Sequence, residues 1–270
     1  MDLAGKRIIV TGGAMGIGFE TARRLAEAGA VPLIWDMNQR ALDEAKARLP
    51  PRCEFRQCDI SDRARVEALV AEAEAGGGVY ALVNNAGCVR GGLFHEKPVE
   101  DWELTMEVNV GALIRLTRLV LPGMYERGEG HVVNISSAAG TLGVSGLAVY
   151  AAAKWAVFGL TESLRHEAAN LGKRGVRFSS VHPGYIATGM FEGARIRGLG
   201  GLIVPLVKSH DVIAKAIVES CLKRGCKIVF RPRSVRSALF LRGVLPYRCF
   251  LGAVRALGIH RSMESWKGRG

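Results

Sequence analysis

Tyr150 and Lys154, in the run Tyr150-Ala151-Ala152-Ala153-Lys154, stand at i and i+4, which puts a phenol and an ammonium on one side of a helix. A free phenol titrates near 10 and is a poor base at neutral pH. Lowering it by about three units requires about 4 kcal/mol, which one ammonium about 4 Å away supplies at an effective dielectric of ~20. Such a pair can move a proton to or from an alcohol oxygen. Taken alone the spacing is weak, because Tyr and Lys so placed are usually packing plus solvated charge.

A second constellation lies near the N-terminus, where an apolar run leads into Thr11-Gly12-Gly13-Ala14-Met15-Gly16-Ile17-Gly18. Gly12 permits a tight turn, and Gly16 and Gly18 let backbone and helix approach a pyrophosphate, whose charge the helix N-terminus attracts. A plain tight turn is the alternative. Asp36 closes the next apolar run, 20 residues after Gly16. A carboxylate there accepts both adenosine-ribose hydroxyls and repels a 2′-phosphate, and Met15 and Met37 offer that phosphate no positive charge. NAD is therefore favoured over NADP, with a helix cap as the simpler role for Asp36.

Together these residues resemble the short-chain dehydrogenase/reductase (SDR) family over roughly residues 4–190. Thr11-Gly12, Gly16 and Gly18 match its cofactor loop, and Asn84-Asn85-Ala86-Gly87 its motif after the fourth strand. Ser137 stands 13 residues before Tyr150, the family's spacing for its catalytic serine, and Asn109 falls at its active-site asparagine. Ser136 is the alternative serine. The resemblance implies Tyr150 as general acid and base and Ser137 as the hydrogen-bond partner of the substrate oxygen. It implies that Lys154 holds the nicotinamide ribose and depresses the Tyr150 pKa, and that Asn109 anchors a relay water. It also implies cofactor contacts from Gly12, Met15, Gly16, Ile17, Gly18, Asp36, Asp59, Ile60, Asn85, Ala86, Gly87, Pro183, Gly184, Ile186 and Thr188, and a homo-oligomer, dimer or tetramer. No metal is expected: His131, His166 and His182 lack ligand spacing and read as structural. An NADP(H)-dependent carbonyl reductase of the same fold and a catalytically silent NAD-binding interaction protein stay open as alternatives.

These groups need strand ends and helix starts to hold them. Strands are predicted at 7–10, 31–35, 53–57, 81–83, 131–135, 176–181 and 227–230, mostly as short continuous apolar runs buried on both faces. Helical patterns near 17–29, 39–48, 62–75, 99–127, 149–171 and 210–224 alternate with them. The alternation predicts an α/β fold, a doubly wound parallel (Rossmann-like) sheet in one domain over 1–230, with a C-terminal extension over 231–270.

Charge divides the chain earlier, near residue 190. The 270 residues carry a formal +12, yet residues 1–190 hold 21 basic and 21 acidic side chains. Residues 191–270 hold 16 basic against 4 acidic ones, the whole excess. Between Lys223 and Arg269 only Glu264 is acidic, and Leu239, Phe240, Leu241, Tyr247, Phe250 and Leu251 are interleaved with the cations. Pro246, Gly243 and Gly252 interrupt any span of a bilayer. Two readings remain: packing on the domain or a neighbouring subunit, or short amphipathic helices on an anionic membrane surface, where each cation is worth about 1 kcal/mol. Nucleic acid is not expected as a partner, for want of a reading module.

The connection at 189–208, with five glycines and an apolar set including Met190, Phe191, Ile196, Leu199 and Leu202, falls where the family builds its substrate loop. It reads either as a lid over a hydrophobic alcohol or ketone, or as ordinary packing of an extra helix. The six cysteines contain no C-x-x-C pair and read as reduced thiols. Without a signal-peptide pattern, the expected location is cytoplasmic, with peripheral membrane contact as an option.

Overall fold

The computed structural model describes the whole chain except residues 192, 195, 197, 265 and 267–270, and gives 198 and 199 as backbone only. Two features read from the sequence, the Leu199 side chain and Arg269, therefore lie outside the described residues. Seven strands, β1 (Arg7–Thr11), β2 (Val31–Asp36), β3 (Glu54–Gln57), β4 (Ala81–Asn84), β5 (Gly130–Ile135), β6 (Val176–Pro183) and β7 (Ile228–Arg231), form one sheet in the order β3-β2-β1-β4-β5-β6-β7. Every pairing is parallel. All seven strands expected from the apolar runs are present, displaced at their ends by a residue or two.

Successive side chains of a strand point to opposite faces, and here both faces are covered. Ile8 and Val10 of β1 pack with Val83, Val133, Val181, Ile213 and Ile217 on one side. Ile9 packs with Leu82, Val132, Leu116, Val120 and Phe178 on the other. The first layer includes α1 (Gly16–Glu27) and α8 (His210–Lys215), and the second α3 (Arg63–Ala75) and α5 (Ala112–Arg127). This two-sided burial is why the strands read as unbroken apolar runs. Asp211 ties α8 to α1 through both Arg23 and Arg24.

Two elements bring chemistry to the sheet. Helix α6 (Ala148–Asn170) carries Tyr150 and Lys154 on its first two turns. A single helical run over 99–127 is interrupted between α4 (Val99–Met106) and α5 by a π-helical turn, Glu107–Gly111, which buries Asn109. Such turns recur at functional sites.

After β7 the chain forms α9 (Val235–Val244) and α10 (Tyr247–Ala256), between which Pro246 serves as the N-cap of α10. Gly252 lies inside α10 and does not end it. Val235, Phe250 and Ile259 are buried. Packing on the domain is thus the arrangement found for this inner face, while Phe240, Val244 and Tyr247 stay exposed.

Candidate active site

The sheet's connections leave in opposite directions from the neighbours β1 and β4, and a crevice opens at the carboxyl ends of these strands. The glycine loop fills its floor. Gly12 and Gly16 adopt φ of +59° and +55°, where side chains are strained. A Cβ on Gly18 would overlap the Gly12 carbonyl and lie 2.7 Å from Asn85 Nδ2. Asn85 Nδ2 donates to the carbonyls of Thr11 and Gly12 at 2.9 and 3.0 Å, and the Thr11 hydroxyl accepts from the N–H groups of Asn85 and Ala86 at 3.0 Å each. The two motifs are therefore one hydrogen-bonded unit. Thr11 is the hub, a role its place in the motif alone did not disclose.

Asp36 is buried at the end of β2 and faces this loop. Its carboxylate accepts from the N–H of Ala14 at 3.1 Å and of Asn38 at 3.0 Å. The cap of α2 (Gln39–Lys46) is Asn38, which accepts from Ala41 N–H, so Asp36 is not that cap. Met15 and Met37 are exposed. Asp59, on the loop after β3, binds the N–H and hydroxyl of Ser61 at 2.9 and 2.7 Å, and Ile60 beside it is buried.

At the other end of the crevice Ser137 lies beside the buried Tyr150 phenol, near enough to act on its titration. Ser136, one residue away, donates to the Lys154 carbonyl at 2.8 Å and so locks α6 to the end of β5. The two serines are separated by task, and Ser137 is the one beside the phenol. Lys154 Nζ donates to the Ile135 carbonyl at 3.0 Å and lies 5.6 Å from the Tyr150 ring centroid. Asn109 Nδ2 donates to the carbonyls of Thr105 and Cys88 at 2.8 and 2.9 Å, whereas its Oδ1 is buried without a hydrogen-bond partner. A Cβ on Gly87 would sit 2.8 Å from that Oδ1 and 3.6 Å from Lys154 Nζ. Asn109, Gly87 and Lys154 therefore meet around one small polar space.

Burial sets the electrostatics. It raises the Tyr150 phenol above its ordinary value, a rise the neighbouring Ser137 only partly offsets, and lowers the Lys154 ammonium to about 8. The expectation that Lys154 depresses Tyr150 is reversed among the protein's own groups. Desolvation of the phenol outweighs an ammonium that is itself desolvated and turned toward Ile135.

Buried amides hold the strand ends together. Asn84 Nδ2 donates to Asn134 Oδ1 at 2.8 Å and to Thr117 Oγ1 at 3.1 Å, and Asn134 Nδ2 donates to Thr161 Oγ1 at 2.9 Å. Sequence reading missed this chain because polar residues inside apolar strands carry no periodic signal. His131 bonds Ser179 and is lowered by burial to about 3; His182, stacked on Phe230, is lowered to about 4, so both are structural. His166 is exposed on α6.

The segment after β6 runs from Pro183 and Gly184, whose N–H donates to the Arg231 carbonyl at 2.7 Å, to a buried Ile186 bridged to Val207 and an exposed Thr188. Beyond it Phe191 sits edge-on to Tyr150, with centroids 5.6 Å apart. Leu142, Val144, Leu147 and Ile259 join them in one apolar cluster. The Tyr150 phenol and Ser137 are thus enclosed largely by hydrocarbon, beside the crevice of the glycine loop.

A model of the short chain dehydrogenase family matches residues 6–197. The chain belongs to the short-chain dehydrogenase family. As a short-chain dehydrogenase it is an NAD(P)-dependent oxidoreductase acting on CH–OH groups. It is 33 % identical to human epidermal retinol dehydrogenase 2 over 98 % of this chain and 86 % of that protein. It is 37 % identical to the 3-oxoacyl-acyl-carrier-protein reductase FabG of Vibrio cholerae over 70 % of this chain and 77 % of that one. Among solved structures, a short-chain dehydrogenase from Streptomyces avermitilis superposes with a TM-score of 0.76 at 30 % identity, covering 94 % of this chain and 95 % of that one. A family member from Burkholderia phymatum in complex with NAD gives 0.77 at 25 % identity, covering 90 % and 94 %. Among the described residues no helix is long and apolar enough to cross a membrane.

Proposed function

We propose that this short-chain dehydrogenase transfers a hydride between NAD(H) and a hydrophobic alcohol or its carbonyl counterpart, of lipid, steroid or retinoid type, with Tyr150 as general acid and base. The observation that carries the reading is the burial of the Tyr150 phenol, with Ser137 beside it, inside an apolar enclosure. The residues present fit a nicotinamide dinucleotide. The cradle at Gly12, Gly16 and Gly18 is one that side chains would fill or strain, and the unpaired Oδ1 of Asn109 awaits a donor.

Within this reading residues 1–230 are the catalytic unit. Asp36, with no cation at Met15 or Met37, supports NAD over NADP, because a buried carboxylate repels a 2′-phosphate. Met15, Ile17, Asp59, Ile60 and the Asn85-Ala86-Gly87 turn line the nucleotide, and Pro183, Gly184, Ile186 and Thr188 its nicotinamide end. The dinucleotide, when bound, supplies the hydride acceptor or donor. Tyr150 Oη takes the hydroxyl proton of an alcohol or returns one to a carbonyl. Ser137 Oγ donates to the substrate oxygen and stabilises its negative charge. Lys154 Nζ holds the ribose hydroxyls, and Asn109 Oδ1 accepts from a water behind Lys154. Because burial keeps the phenol protonated, oxidation by this site speeds up as pH rises.

The C-terminal extension supports a hydrophobic substrate. Similarity to the retinol dehydrogenase covers nearly all of this chain, that to the acyl-carrier-protein reductase 70 % of it. The exposed Phe240, Val244 and Tyr247, set among arginines, also suit peripheral contact with an anionic bilayer. The exposed apolar side chains of α4 and α5, Leu104 and Ile114, suit a homo-oligomer contact. Titration with NADH and NADPH, followed by a panel of primary and secondary alcohols including decanol and retinol, tests the chemistry at the nicotinamide absorbance. NADH binding at least tenfold tighter and turnover of the apolar alcohols are expected. Tighter NADPH binding, or turnover of small polar alcohols only, overturns the cofactor or the substrate assignment. Flotation with phosphatidylserine vesicles, lost on replacing Phe240, Val244 and Tyr247 by Ser, tests the bilayer contact.

A further inference from the structure

A side chain from a distant element stands over the glycine loop. His210, the first residue of α8, is half-buried, and its ring lies 3.6 Å from where a Cβ on Gly16 would be. The same ring lies 2.9 Å from where a Cβ on Gly189 would be, and Gly189, next to Thr188, has a φ of +83°. The imidazole thus bridges the glycine loop and the start of the 189–208 connection. Its neighbour Asp211 holds it there, accepting from Arg24 Nε and Nη2 at 2.6 Å each and from Arg23 Nη2 at 2.9 Å, both on α1. Ile213 and Ile217 pack in the same layer as Leu25 of α1. An open cleft of about 230 Å³ beside the first turn of α1 is lined by Met15, Gly16 and His210. The carboxylates that also line it, Glu20 and Glu44, are paired with Arg23 and Arg40, and its Arg48 is stacked 4.3 Å over the Phe19 ring.

We infer that His210 is a further cofactor-binding residue, whose imidazole donates to the pyrophosphate of the bound dinucleotide. This rests on the reading of the crevice as a nicotinamide-dinucleotide site. Gly16 is one of the glycines that let backbone approach a pyrophosphate, so a ring seated on Gly16 flanks that charge. From Thr11 to Gly18 the loop has no cationic side chain, and its own means of holding an anion are backbone N–H groups and the start of α1. An imidazole adds a directed side-chain donor, and hydrogen bonds to a charged acceptor are stronger than neutral ones. Its seat on Gly189 gives the contact a second effect, because one ring keeps the glycine loop and the Thr188 segment in register. The pyrophosphate is common to NAD and NADP, so His210 adds affinity without choosing between them. Its task is thereby separate from that of Asp36.

His210→Ala in the full chain, titrated with NADH by fluorescence, is the direct test and needs no turnover. Affinity is expected to fall about tenfold, as for loss of one hydrogen bond to a charged group. ADP keeps the pyrophosphate and lacks the nicotinamide, and calorimetry is expected to show the same loss for it. NADPH is expected to lose that factor too, leaving the ratio of NADH to NADPH affinity unaltered. His210→Gln keeps an N–H donor at the reach of Nε2 and is expected to recover most of the affinity. Should His210→Ala fail to fold, His210→Leu against His210→Gln reads the same difference. A variant within a factor of about two of the wild type overturns the inference. So does a loss for NADH that spares ADP, which would put the ring at the nicotinamide end. An equal loss in His210→Gln and His210→Ala marks a packing role and overturns it as well. A wild type that binds neither NADH nor ADP overturns the dinucleotide reading and this inference with it; a wild type that binds both, beside an unaffected variant, overturns this inference alone.

Discussion

The crevice and the C-terminal extension are built on opposite plans. In the crevice, backbone amides, buried carboxamides and hydroxyls fix each group: Thr11 with Asn85, Asp36 with Ala14, Asn84 with Asn134, Ser136 with Lys154. Extension and core meet mainly through apolar contacts at Val235, Phe250 and Ile259, with few polar pins, such as Arg242 to the Thr141 carbonyl at 3.0 Å. Hydrogen bonds specify direction as well as distance, which proton and hydride transfer need. Hydrocarbon packing specifies volume, which suffices to seat the extension on the domain. The comparison teaches that one chain can hold one region by directed bonds and another by packing, with most of its excess charge on the second.

Variants of the polar region should cost most. Ser137→Ala is expected to lower kcat about 100- to 1,000-fold with cofactor affinity unchanged, as for loss of one oxyanion donor. A loss below tenfold in steady-state assays would remove Ser137 from the reacting centre and blur the comparison.

Lys154 gives the next largest effect, on stability. Burial holds its ammonium at about 8, below the ~10.4 of an unfolded chain. Between those values the unfolded state binds more protons, so this group's contribution to stability rises with pH; below about 8 the full burial penalty is present. Lys154→Met should therefore raise unfolding stability by about 2 to 3 kcal/mol at neutral pH while removing activity, and the gap should shrink toward pH ~10. Urea denaturation across that range checks it; a gap independent of pH would show that charge burial is not its source.

Smaller shifts test the edges. Asp36→Asn keeps an acceptor for Ala14 N–H but removes the charge, and should narrow the preference for NADH over NADPH by about tenfold. An unaltered ratio in fluorescence titration would place discrimination elsewhere. Arg242→Ala, which loses the Thr141 bond and the stacking 4.3 Å from the Trp155 ring, should cost no more than about 1 kcal/mol and leave kcat intact. A large loss of kcat would mean that the extension reaches into the chemistry.

Most of the fold was legible because parallel strands buried on both faces leave continuous apolar runs, as in Ile8-Ile9-Val10 and Ala81-Leu82-Val83. Tyr150 and Lys154 were legible as neighbours on one helix, and Ser137 through the family resemblance. Other features depend on tertiary context. The π turn that buries Asn109 leaves no mark on a helical pattern, and Gly252, read as a breaker, is accommodated inside α10. The direction of the Tyr150 shift was misjudged because distance along the chain says nothing of burial. The contact of the C-terminal segment with the catalytic cluster joins residues more than 100 positions apart, Ile259 and Tyr150 among them.

The central claim is that Tyr150 transfers the proton. The direct measurement is the pH dependence of kcat/KM for decanol oxidation by NAD, in the wild type and in Tyr150→Phe. The wild type should gain rate with rising pH as the phenol ionises, and Tyr150→Phe should fall about 100- to 10,000-fold and lose that rise. A Tyr150→Phe enzyme that keeps both its rate and its pH profile would contradict the account.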